Sequence, residues 1–135
     1  MGSRKFHCWL KGGHGKLTLQ EGIQKSCDVY FYELARKVGV KRIGVMARRL
    51  GLGQAYDLPL TGLSKGFVPT KKWKKERFGT SWLVGDTLNV GIGQGFSLAT
   101  PLQLAVMTAR LASGKEITPN TVTYTHLTLP TKRIV

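Results

Sequence analysis

The sequence predicts a single modest globular piece, mainly helical with irregular loops, and three observations predict it. Apolar residues recur at helical spacing in stretches that end at Gly39, Gly51 and Gly114. Helix-opening signatures stand at Thr18 with Glu21 and at Thr100, Pro101 and Gln103. Between them, residues 51–85 lose any sustained period and carry Gly, Pro, Trp and Lys, the composition of an irregular excursion of the kind that lines clefts.

Residues 1–17 carry Gly12, Gly13 and Gly15 without helical period and read as a loop or short extended segment. Thr18 and Glu21 then form a capping box, in which the hydroxyl accepts from the third backbone N–H and the carboxylate returns to the cap, so a short helix is expected from Leu19 to Lys25. Ser26 and Asp28 break it, because both side chains compete for backbone hydrogen bonds. Phe31, Leu34, Ala35 and Val38 build the next helix up to Gly39, and Ile43, Met46, Ala47 and Leu50 build another up to Gly51, with basic residues mostly outward. Val90, Ile92 and Phe96 alternate around Gly91, Gly93 and Gly95. In the last helix Leu102, Ala105, Val106, Ala109 and Ala112 are the expected buried stripe, and Gly114 the terminator.

A chain of 135 residues with 41% hydrophobic residues supports one core, and 21% charged residues argue against a coiled coil or a disordered tail. No apolar run approaches the length of a membrane span, and no signal-peptide pattern opens the chain. Cys8 and Cys27 allow one bridge at most, which is no disulfide scaffold. The formal charge of +14 favours polyanions in general, with clusters at Arg36, Lys37, Lys41, Arg42, Arg48 and Arg49 and at Lys71, Lys72, Lys74, Lys75 and Arg77. Such runs are also ordinary solvated surface.

Two constellations carry chemistry. Ser26, Cys27 and Asp28 sit at the helix break, where a hydroxyl is aimed while flanking helices hold the backbone; a plain capping role is the alternative for so common a triplet. Cys8, His14 and Cys27 offer three donors suited to zinc, provided the glycine loop folds back to the junction. Their spacing fits no standard finger, and a buried Cys beside a surface His is the alternative. His7, between Phe6 and Trp9, suggests local packing. The Gly91-x-Gly93-x-Gly95 run lacks the spacing and the acidic partner of a dinucleotide fingerprint, and Thr87, Asn89 and Gln94 read as supporting residues.

An ordered series of motifs is more specific than any of these. Phe6-His7-Cys8-Trp9, Gly13-His14-Gly15, Ser26-Cys27-Asp28-Val29-Tyr30-Phe31-Tyr32, Gly51-Leu52-Gly53, Gly66 to Pro69, Trp73, Trp82, Gly85-Asp86-Thr87-Leu88-Asn89, Ile92-Gly93-Gln94-Gly95 and Thr100-Pro101-Leu102-Gln103-Leu104-Ala105 together resemble the elongation-type penicillin-binding protein 2 family of Gram-negative bacteria, over residues 4–119. The resemblance implies an α+β fold, the penicillin-recognising serine transpeptidase (beta-lactamase-like) fold, of which this piece would be the central part. It implies attack on a peptidoglycan stem ending in D-Ala-D-Ala, an acyl-enzyme, and transfer to a neighbouring amine. Ser26 would then be the serine of the second motif, with Asp28 where many relatives have asparagine. Peptidoglycan stem peptides and beta-lactams are the expected ligands, and membrane proteins of the elongation machinery the expected partners of the parent. The parent is expected in the inner membrane with its catalytic domain in the periplasm.

No cofactor is implied for catalysis, but some members hold a structural zinc near the second motif. Here Cys8, His14 and Cys27 would serve, Cys8 replacing a carboxylate, with a fourth ligand upstream of residue 1. No serine is followed by lysine at the third position and no Lys-Thr-Gly occurs, so this chain alone is expected to be inert, with the nucleophile upstream and the strand downstream. After Pro119 the resemblance stops; residues 120–135, with Tyr124 to Arg133, look like translated sequencing-adaptor read-through and are expected to pack poorly. Two rival classes are an autonomous zinc-stabilised interaction module and a small basic nucleic-acid-binding protein built on Lys71-Lys72-Trp73-Lys74-Lys75. The latter leaves Ser26 to Tyr32 and Gly85 to Ala105 unexplained, so no nucleic-acid partner is expected.

Overall fold

The structure, a computed structural model, is described over residues 5–120. The expected tail therefore lies almost wholly outside the described residues. Six helices follow one another there: α1 (Leu19–Gln24), α2 (Asp28–Val38), α3 (Val40–Arg49), α4 (Lys71–Phe78), α5 (Val84–Gly91) and α6 (Pro101–Ser113). The one β feature among the described residues is an antiparallel bridge between Phe67 and Leu98, closed by N–H to carbonyl bonds of 2.6 and 2.9 Å.

The capping signatures act as expected. Thr18 accepts from the Glu21 N–H at 3.3 Å while Glu21 returns to the Thr18 N–H at 2.8 Å, and Thr100 with Gln103 repeats the exchange at α6. Gly114 ends α6 in the left-handed region at φ 66°, and Gly39 turns α2 into α3 at φ 80°. Arg36, Lys37, Lys41, Arg42, Arg48 and Arg49 are all exposed, as the outward assignment of the basic residues requires.

The framework is α2 laid on α5, with α3 against both. Their approach is close enough that a methyl group added at Gly91 would collide with the Ala35 side chain, which makes Gly91 a packing requirement of the helix pair. Cys27, Ala35, Val40, Val90 and Val106 form the buried apolar set. Almost as many buried residues are polar: Lys74, Thr87, Gln103 and Arg110, each with hydrogen-bond partners.

Two expectations are corrected. Residues 51–85 are not irregular throughout, since α4 and the start of α5 lie in them. Thr70 caps α4 by accepting from the Trp73 N–H, but the residue that α4 buries is Lys74, so no apolar period marks the helix in the sequence. Of the expected α6 stripe Val106 is buried and Leu102 and Ala109 half-buried, but Ala105 and Ala112 are exposed, and Gln103 and Arg110 complete the buried face. Arg110 is drawn inward because its guanidinium donates to the backbone carbonyls of Arg49 and Ile117, at 2.6 and 2.9 Å.

Candidate functional site

The α1–α2 junction is built by backbone bonds that leave α1 and restart the chain at Asp28. The Lys25 and Ser26 N–H groups donate to the carbonyls of Glu21 and Ile23, and the Cys27 N–H reaches back to Gly22 at 3.0 Å. Gly22 is needed here, because a side chain on it would press on the Tyr30 ring at 3.0 Å. To pass between the helices Ser26 takes φ 47°, and it is the single non-glycine residue with positive φ among the described residues. That region costs an ordinary L-residue roughly 1–2 kcal/mol.

Trp9 holds the junction from outside. Its indole N–H is shared between the carbonyls of Lys25 and Ser26 at 3.2 and 3.1 Å, and its backbone N–H donates to Asp28 Oδ2 at 3.3 Å. The strained serine and the aspartate are thus fixed by one tryptophan. The Ser26 hydroxyl is exposed and makes no hydrogen bond to another described residue. Trp9 is the residue that sequence reasoning missed. Its signals were an indole in a glycine-rich loop and a place in the Phe6-His7-Cys8-Trp9 motif, and nothing in a spacing of 16 to 19 residues points to its partners.

The same loop brings the expected metal donors together. Cys8 Sγ lies 3.4 Å from His14 Nδ1 and 4.0 Å from Cys27 Sγ, and the three donor atoms lie within 4.8 Å of one another. The Trp9 ring meets the His14 ring edge-on at 5.5 Å, which orients the imidazole. The Cys8 thiol is held below its ordinary pKa of 9.0. Desolvation raises it, but hydrogen bonding at the backbone of Leu10, Asp28 and Val29 and from the Cys27 thiol outweighs that. Cys27 is buried and Cys8 and His14 half-buried, while His7 is exposed and outside the group. A cavity of about 350 Å³ borders the cluster, with Tyr30, Glu33 and Lys37 among its lining residues.

The glycine run is a helix exit. Gly93, at φ 73°, lets the Gln94 N–H return to the Asn89 carbonyl, which also accepts from the Ile92 N–H, and Gln94 itself is exposed. Thr87 is buried and accepts from the Trp82 indole at 2.8 Å. Beside it Lys74 pairs with Asp86, whose carboxylate also accepts from the Leu83 N–H and closes the start of α5. The Phe67, Trp73, Phe78 and Phe96 rings cluster together, with Lys74 Nζ 5.9 Å from the centroid of the Phe96 ring.

Comparison with known proteins places this geometry. The family model of the penicillin-binding protein transpeptidase domain matches residues 1–133. The peptidoglycan D,D-transpeptidase MrdA of Acinetobacter baumannii is 40% identical over 125 residues, 92% of this chain and 19% of the relative. PBP2 of Pseudomonas aeruginosa, solved in complex with WCK 5153, superposes with a TM-score of 0.81 at 40% identity, over 87% of this chain and 27% of that one. PBP2 of Helicobacter pylori, solved in complex with MreC, gives 0.79 at 41% identity, over 85% of this chain and 22% of that one. The chain thus spans about a fifth of the length of the curated relatives it matches.

Proposed function

Because the chain belongs to the penicillin-binding protein transpeptidase domain family, we propose that it supplies one wall of the active site of a peptidoglycan D,D-transpeptidase, with Ser26 and Asp28 as the second catalytic motif. The observation that carries this reading is the positive φ of Ser26, a strained hydroxyl-bearing residue on a junction fixed by Trp9 and two helices. Strain of this kind is retained where a side chain must be aimed. A free, exposed hydroxyl at a rigid position suits transfer of a proton between a neighbouring nucleophile and the leaving amine. Asp28, held by the Trp9 N–H, orients the turn from below.

The nucleophile itself is not in this chain, which has no Ser-x-x-Lys, and neither is the Lys-Thr-Gly strand that would bind a substrate carboxylate. Without an activating lysine a serine hydroxyl attacks poorly, and without the strand an acyl donor is not held in line. The 135-residue chain is therefore expected not to form a covalent adduct with a fluorescent penicillin, whereas a domain that adds both motifs is expected to label. In that domain Ser26→Ala should slow acylation while leaving the labelled residue unchanged. Stoichiometric labelling of the present chain, or an unaltered acylation rate in the variant, would refute the assignment.

The parent is proposed to act on peptidoglycan stem peptides and beta-lactams, from the inner membrane with the domain in the periplasm and alongside elongation-machinery proteins. The MreC complex of the Helicobacter relative supports the last point. No helix among the described residues is long and apolar enough to cross a membrane.

A structural zinc is the second element of the proposal, and the donor geometry fits it. Tetrahedral zinc, with Zn–S about 2.3 Å and Zn–N about 2.0 Å, sets its ligand atoms roughly 3.5–3.8 Å apart. The Cys8–His14 and Cys8–Cys27 separations of 3.4 and 4.0 Å bracket that range, and the His14–Cys27 separation, within 4.8 Å, would have to close somewhat around the ion. Cys8, His14 and Cys27 would hold the ion, which would tie the glycine loop to the start of α2. No fourth His, Cys, Asp or Glu donor joins the group among the described residues. Cobalt substitution tests it: a thiolate charge-transfer band at one equivalent, lost in His14→Ala, is expected, and no band would reject the site.

A further inference from the structure

We propose that Cys8 and Cys27 form an intramolecular disulfide, a covalently latched state of the Ser26 junction distinct from any metal-bound one. It goes beyond the transpeptidase reading and stands without it. The two sulfurs lie 4.0 Å apart, and a disulfide bond of about 2.05 Å requires them to close by about 2 Å. The chain can make that movement on one side. Cys8 sits in irregular backbone just before the turn in which the Gly13 N–H meets the Leu10 carbonyl, outside every helix. Cys27 is the fixed partner: 4% exposed, at the cap of α2, with its N–H bound to Gly22. As these are the chain's only cysteines, one intramolecular pairing exists.

Exposure assigns the order of events. Cys8, half-buried, meets the oxidant first; Cys27, only 4% exposed, reacts second. With a small disulfide such as oxidised glutathione as co-reactant, the Cys8 thiolate attacks one of its sulfurs, forms a mixed disulfide and expels one glutathione thiolate. The Cys27 thiolate then attacks the Cys8 sulfur and expels the second. One S–S bond is broken and one formed, the two cysteines lose two protons and two electrons, and two glutathione thiols take them up. The consequence is local. Trp9, bonded to Lys25, Ser26 and Asp28, follows Cys8 directly in sequence, so the latch draws the residue that holds the junction toward α2. It also takes away two of the three soft donors, so the latched form cannot hold a metal through them.

The test equilibrates the purified 135-residue chain with graded ratios of reduced to oxidised glutathione in the presence of a chelator, quenches with acid, alkylates and weighs the product. The closed form is lighter by two hydrogens and takes no alkyl group. The expected result is an effective thiol concentration at least about tenfold higher in native buffer than in concentrated guanidinium chloride, because the fold and not random loop closure holds the sulfurs together. Equal values in the two solvents overturn the proposal, as does accumulation of a singly glutathionylated species that never closes. In Cys8→Ser, Cys27 should react with glutathione only slowly; rapid modification would show that it is not sheltered and would overturn the assigned order. Repeating the titration with zinc in place of chelator separates the two readings. Closure unaffected by zinc upholds the disulfide and removes the metal, and zinc uptake without closure in chelator does the reverse.

Discussion

Gln103→Leu tests whether the interior of this chain is held by polar anchoring rather than by apolar volume. Gln103 is 0% exposed, and its amide donates to the carbonyls of Gln54 and Lys65, both at 2.8 Å, while Oε1 accepts from the Thr100 N–H at 3.2 Å. It thereby ties two separate loop segments to the first turn of α6. The fit is close: a Cβ added at Gly66, which stands at φ 56°, would lie 2.5 Å from Gln103 Oε1 and from the Leu98 carbonyl. Leucine keeps most of the volume and removes the three bonds. Each lost bond is worth about 1 kcal/mol net, and a carbonyl left dry adds about 1–3 kcal/mol. With one of the two carbonyls regaining water, the loss is about 4–6 kcal/mol, a large part of the roughly 5–15 kcal/mol that holds a domain folded. At about 4 °C per kcal/mol for a chain of this size, the midpoint falls by about 16–24 °C. Urea and thermal denaturation followed by tryptophan fluorescence and far-ultraviolet circular dichroism measure it. Gln103→Glu is the sharper control: its carboxylate would face two carbonyl oxygens, so it should be worse at neutral pH and recover partly as it protonates in acid. A leucine variant within about 0.5 kcal/mol of the parent would refute the reasoning, since that is the range of an uninvolved surface site.

Other predictions follow from single contacts. Gly91→Ala should destabilise by about 1–3 kcal/mol through overpacking against Ala35, and Gly91→Ala combined with Ala35→Gly should recover part of the loss in the same denaturation assay. Lys74→Met should cost up to about 3–5 kcal/mol because it leaves the half-buried Asp86 without its cation, whereas Lys74→Met with Asp86→Leu should cost less than the single change; a double-variant loss as large as the sum of the two single losses would show that the pair is not coupled. The backbone N–H of Thr18, and then its hydroxyl, hold Glu21 below its ordinary value of 4.5. A carboxylate depressed in the folded state stabilises above its unfolded pKa and loses that contribution as pH falls through the folded one. Fraying of α1 should therefore begin below about pH 4.5 and advance with further acidification, read from amide exchange at Glu21, and Glu21→Gln should remove this pH dependence.

The local features of the fold were legible in the sequence because they depend on neighbours within one turn. Thr18 with Glu21, Thr100 with Gln103, and the stops at Gly39 and Gly114 each concern donors and acceptors three or four residues apart, and a backbone that only glycine adopts cheaply. The break at Ser26 was legible for the same reason. Its identity as a family motif rested on an ordered series of such short patterns. The tertiary structure decided where polar groups would go. Lys74, Gln103 and Arg110 point inward because a carboxylate or backbone carbonyl from a distant segment waits there, which made α4 invisible to apolar periodicity and moved the buried face of α6 off its alanines. Nor could spacing reveal that Trp9 grips the Ser26 junction, or that Cys8 and Cys27 would come to rest 4.0 Å apart. Those contacts depend on where a glycine loop closes, and loop closure is fixed by the packing around it rather than by the residues within it.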